Sequence, residues 1–140
     1  SLDYFVNKIN KINKNFKADN VITDNSFGVD SDNVVISGKM TEASRYIHSQ
    51  NLKTVTIDSS MGDVSVYLDD AKAAGDEVIM NINTSMCDVD VYIPSDWQVE
   101  NNMQNSLSDV DIDHSKGTGT KLILQGRNTM GDLTVKHVKD

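Results

Sequence analysis

The sequence reads as an all-β domain, a β-solenoid in the manner of a right-handed β-helix, with a short helix at its start. Three observations lead there. A seven-residue motif occurs four times without gaps, and each copy follows a run in which apolar and polar residues alternate. The 140 residues suffice for one core and not for two. A β-sandwich of repeated hairpins is the alternative that the same alternation permits.

The start of the chain stands apart in charge and in period. Residues 1–17 carry Lys8, Lys11, Lys14 and Lys17 against Asp3 alone, a balance of +3. Phe5, Ile9, Ile12 and Phe16 recur at helical spacing, so this stretch is expected to be a basic amphipathic helix. Residues 18–140 are expected to form the single β-repeat domain. The helix either docks on that domain as a cap, the simpler reading, or lies beside a membrane, where its lysines would favour anionic headgroups.

The repeat carries the architecture. Its copies are Ser60-Met61-Gly62-Asp63-Val64-Ser65-Val66, Ser85-Met86-Cys87-Asp88-Val89-Asp90-Val91, Ser106-Leu107-Ser108-Asp109-Val110-Asp111-Ile112 and Thr129-Met130-Gly131-Asp132-Leu133-Thr134-Val135, spaced 25, 21 and 23 residues apart. A hydroxyl residue is followed by a large apolar one, a small one and an aspartate, and then by an alternating strand. Ser26-Phe27-Gly28 echoes the motif without its aspartate and is not counted.

Alternating runs precede the copies: Val55 and Ile57, then Val78, Met80 and Ile82, then Val99 and Met103, then Leu122 and Leu124. Each predicts a strand with one buried face. Looser connections follow at Asp69–Asp76 and His114–Thr120, punctuated by Gly75, Gly117 and Gly119, and Pro94 should end the strand before it. Units of this length stack so that each rung covers the next. The four copies are therefore expected to be successive rungs. Met61, Met86, Leu107 and Met130 would form one column inside, and Gly62, Cys87, Ser108 and Gly131 a second where the backbone turns tightly. Cys87 is then a small residue filling a glycine or serine slot rather than a reactive thiol.

Asp63, Asp88, Asp109 and Asp132 would also stack. Strands lie ~4.8 Å apart, so aligned carboxylates repel unless something compensates. The expectation is that each accepts a backbone N–H at its own corner. A divalent cation, helped by Asp90, Asp111 and Asp113, is the competing reading, but the spacing matches neither an EF-hand loop nor the glycine-rich nonapeptide repeat. No metal and no cofactor is assigned.

Several function classes are disfavoured. The net charge is −8, and residues 18–140 alone carry nine basic against twenty acidic groups, so nucleic acid is not an expected partner. The single cysteine, Cys87, rules out an intrachain disulfide. No apolar run is long enough to span a membrane, and no signal peptide is evident. His48, His114 and His137 stand isolated in sequence, and neither a nucleophile elbow nor a phosphate loop occurs, so the chain is not expected to be an enzyme.

At these repeats the chain resembles a known family. Met61-Gly62-Asp63-Val64-Ser65-Val66-Tyr67-Leu68, Glu77-Val78-Ile79, Met86-Cys87-Asp88-Val89-Asp90-Val91-Tyr92-Ile93-Pro94, Trp97-Gln98-Val99, Asp109-Val110 and Met130-Gly131-Asp132-Leu133-Thr134-Val135 resemble the C-terminal domain of LiaF-like proteins, the cell-wall-active antibiotic response proteins of Gram-positive bacteria. Adhesin-like and bactofilin-like β-solenoids share the general look. Cys87 and Ser108 depart from the glycine usual in the family. The resemblance implies a domain attached to a membrane protein that modulates a sensor histidine kinase by binding. The lysine-rich start then leans toward the cytoplasmic face. A structural or adhesive module that self-assembles is the alternative function.

Overall fold

The computed structural model describes residues 30–114 and 117–138. Lys8, Lys11, Lys14 and Lys17, the helix expected over 1–17 and the echo at Ser26-Phe27-Gly28 lie outside the described residues. Seven strands follow in chain order: β1 (Asn33–Tyr46), β2 (Thr54–Tyr67), β3 (Glu77–Ile93), β4 (Gln98–Ser106), β5 (Val110–Ile112), β6 (Lys121–Thr129) and β7 (Leu133–His137). Every strand pair is parallel. A sandwich of hairpins would require antiparallel pairs, so the fold is the solenoid.

The burial pattern shows how the alternating runs make a rung. In β2 the inward residues are Val55, Ile57 and Ser59 before the corner and Val64 and Val66 after it; in β3 they are Val78, Met80, Ile82 and Thr84, then Cys87, Val89, Val91 and Ile93. The inward set changes parity at the corner, because one residue there leaves the extended conformation. β3 ends at Ile93, immediately before Pro94, as the missing N–H requires. The return segments stack too: the N–H groups of Leu52 and Ala74 bond the carbonyls of Lys72 and Leu52 at 2.9 Å each. Aliphatic side chains from all these layers fill the core, with Trp97 at its margin.

Two features of the stack depart from the sequence expectation. The first rung carries a copy that the pattern did not reveal. Lys39 pairs with Ser60, Thr41 with Gly62, Glu42 with Asp63 and Ala43 with Val64, so Glu42 occupies the aspartate position. The fully buried Arg45 sits where the next rung has Val66.

The second departure is the order of the rungs. In space it is β1-β2-β3-β6-β4, with β7 pairing both β3 and β5. Ser85 and Ser106 both pair with Thr129, and Val89 and Val110 both pair with Leu133. The copies are therefore not successive; the C-terminal one lies between the second and the third. Composition accounts for this. A rung with neighbours above and below buries its inward side chains completely, and the inward Leu122, Leu124, Leu133 and Val135 are fully buried. The run Gln98-Val99-Glu100-Asn101-Asn102-Met103-Gln104-Asn105-Ser106 is mostly exposed and suits the edge. There the Asn101 side chain also accepts the Met103 N–H at 3.0 Å, occupying one edge donor.

Candidate functional site

The corners concentrate the unusual chemistry of this domain. Met61, Met86, Leu107 and Met130 have φ of 62°, 54°, 54° and 56°, the left-handed region. A residue with a Cβ pays roughly 1–2 kcal/mol there. That turn resets the strand's parity and throws the side chain outward. These four are 45, 48, 80 and 50% exposed, and with Val35 they make up the large apolar residues exposed in the described chain. The column expected inside is thus an exposed ridge. Its members stack as expected, but the αL corner reverses the face that alternation assigns.

The small residues turn inward instead. Cys87 is 1% exposed, and a Cβ at Gly131 would come within 2.1 Å of the Cys87 carbonyl oxygen. Burial pushes the Cys87 thiol up, with the nearby carboxylates of Asp63 and Asp88 acting the same way. A raised thiol is a poor nucleophile, which fits the slot-filling reading. Facing this column from the strand before the corner are Ser59, Thr84 and Asn128, all buried and in register. The Thr84 hydroxyl donates to Asn128 Oδ1 at 2.9 Å, and Asn128 Nδ2 donates to the Gly131 carbonyl at 2.9 Å. The buried amide thereby closes its own corner and ties it to the neighbouring rung. Sequence reasoning passed over Asn128, although its place next to the motif's hydroxyl residue marked it.

The aspartates are exposed and aligned, Asp63 pairing with Asp88 in register. Their acceptor role differs from the expectation. Asp88 Oδ1 accepts the backbone N–H of Asp132 at 2.9 Å, and Asp132 Oδ1 accepts that of Asp109 at 3.4 Å. These two carboxylates therefore bond across to the next rung rather than at their own corners. Among the described residues no group of His, Cys, Asp or Glu is arranged to hold a metal ion. Asp90, on the following outward position, has its carboxyl raised by burial and by Asp88, partly offset by Lys136.

Further outward ladders flank the ridge. The rings of Tyr46, Tyr67 and Tyr92 stack with centroids 4.4 and 4.6 Å apart and planes within 7°. Burial and the two neighbouring tyrosines push the Tyr67 phenol up to about 12. On the strands before the corner, Ser37, Asp58, Asn83 and Arg127 line an open groove, and Arg127 donates to Gln104 Oε1 at 3.2 Å.

The histidines are less isolated than their sequence spacing implies. His137 Nε2 lies 2.7 Å from the Trp97 carbonyl and its Nδ1 3.2 Å from Asp113 Oδ2. The His137 backbone N–H also donates to Asp113, and this holds the Asp113 carboxyl below its ordinary value. The cluster ties the end of β7 to β5 and to the turn after β3. His48 Nδ1 lies 3.5 Å from Asp70. No helix of the described residues is long and apolar enough to cross a membrane. Comparison with family models, curated proteins and solved structures gives no match to this chain.

Proposed function

We propose that this domain is a non-enzymatic interaction module of a membrane-associated envelope-stress protein, one that modulates a sensor histidine kinase by binding it. The observation that carries the reading is the ridge of Met61, Met86, Met130 and Leu107. A soluble domain that keeps four large apolar side chains exposed in one line, at a backbone cost, presents a contact surface. The kinase as partner and the cell-envelope setting come from the likeness of the Met-Gly-Asp repeats to the LiaF-like C-terminal domain. Residues 1–17 are the part suited to an anionic membrane surface, since the acidic body is repelled by one.

The test is capture from membranes with the full chain as bait. Recovery of a sensor kinase, with kinase output altered when the domain is overproduced, supports the reading. Recovery of no kinase, together with filaments formed by the purified chain, overturns it in favour of the self-assembling module. The open β4 end, where Val99, Met103, Val110 and Ile112 are only partly covered, favours that second reading. Glu100, Asp109, Asp111 and Asp113 near the same end oppose it by like-charge repulsion between copies.

A further inference from the structure

We infer that the occupant of the ridge is a basic amphipathic helix from a partner protein, laid along the solenoid axis with its lysines or arginines on the aspartate side. The inference rests on the interaction-module reading and names the chemistry of its partner.

Three observations define the occupant. The ridge is apolar and exposed, in the spatial order Met61, Met86, Met130, Leu107. Its flanks differ. Asp63, Asp88, Asp132 and Asp109 stand exposed two residues beyond the ridge residues, whereas Ser60, Ser85, Thr129 and Ser106 precede them. A complementary surface therefore needs an apolar stripe with cations along one side. The repeat distance selects the helix. Neighbouring strands lie ~4.8 Å apart, close to the ~5.4 Å of a helical turn, so apolar residues at i, i+4, i+7 and i+11 follow the four ridge positions. An extended peptide repeats its same-face side chains every ~6.6 Å and falls out of step. An anionic bilayer is opposed by the aspartates, as is the acidic body of a second copy. Methionine suits such a site, being flexible and able to fill irregular contacts.

The test uses the full chain with 13C-labelled methionine methyl groups. The probe is a synthetic peptide of about 14 residues, with leucine at i, i+4, i+7 and i+11 and lysine on one flank. Saturable shifts at Met61, Met86 and Met130, with the buried Met80 unmoved, are expected. The double variant Asp88→Asn/Asp132→Asn should bind about tenfold more weakly, and added salt should weaken the wild type. Three outcomes overturn the proposal: no shift at millimolar peptide, shifts confined to Met103, or equal binding of a peptide with glutamate for lysine. A fourth does so as well: binding that appears only after Phe5→Ser, Ile9→Ser, Ile12→Ser and Phe16→Ser would make the chain's own start the occupant. The function reading is judged apart. Kinase captured equally by wild type and Met86→Ser/Met130→Ser removes the site and keeps the function, whereas peptide binding without any captured kinase does the reverse.

Discussion

Asp88 reaches across the stack to Asp132: its Oδ1 accepts the Asp132 backbone N–H at 2.9 Å, although 44 residues separate them in sequence. Only the insertion of the C-terminal rung against β3 brings the two together. The carboxylate satisfies a corner donor that the sharp turn removes from the regular ladder.

Asp88→Asn should accordingly melt close to the wild type, because the amide oxygen still accepts. Asp88→Ala leaves the Asp132 N–H to solvent and should cost about 1 kcal/mol. Chemical denaturation of both variants distinguishes the roles. If millimolar Ca²⁺ raises the melting temperature of the wild type by several degrees and not that of Asp88→Asn, the carboxylates hold a metal after all.

Met86 offers the contrary case. A buried methionine would cost several kcal/mol on truncation, but this one is 48% exposed at φ 54°. Met86→Asn should hold or raise stability by up to about 1 kcal/mol, since asparagine tolerates the left-handed region. A loss above about 2 kcal/mol in equilibrium unfolding would mean that the side chain is packed.

These two residues mark what the sequence could and could not convey. The period-two runs and the aligned Ser-Met-Gly-Asp copies carried the solenoid, its parallel stacking and the tight slot of Cys87, because those depend on local pattern. The orientation of Met86 was hidden, because alternation assumes an unbroken strand and a single αL residue flips the phase. The interleaving of the last rung was hidden for another reason: copies related by repeat look alike, and only their relative apolarity, Leu122 and Leu124 against Asn101 and Asn102, tells which lies inside. Glu42 escaped notice because Lys39 and Thr41 replace the motif's hydroxyl and small residues.

The tyrosine stack sets an alkaline limit. Tyr67 ionises near 12 in the folded chain against an ordinary value of 10.0. A phenol whose folded pKa is raised contributes stability that is full below the unfolded value and is lost as pH rises through the folded one. Stability should therefore be flat up to about pH 10.0, fall between there and about 12, and level off above it. Phenolate absorbance at equilibrium should show Tyr67 titrating late, and Tyr67→Phe should flatten the fall. Ordinary titration of every tyrosine in the folded chain would contradict the stack.

Gly126 tests the interleaved topology itself. It lies on β6 at φ 114°, and a Cβ there would stand 2.1 Å from the backbone oxygen of Ile82, on β3. Backbone cannot yield as a flexible side chain tip can, so Gly126→Ala must push the last rung off β3 and strain its own conformation. Because β6 is also the only described partner of β4, that displacement loosens the edge rung as well. The expected result is a loss of more than about 3 kcal/mol, with hydrogen-exchange protection falling in β3, β4 and β6 before β1. Gly75, with no atom near its missing Cβ, supplies the control: Gly75→Ala should leave both stability and protection unchanged within about 0.5 kcal/mol. If the copies stacked in chain order, Gly126 would have no Ile82 carbonyl above it, and Gly126→Ala would leave the protection of β3 undisturbed.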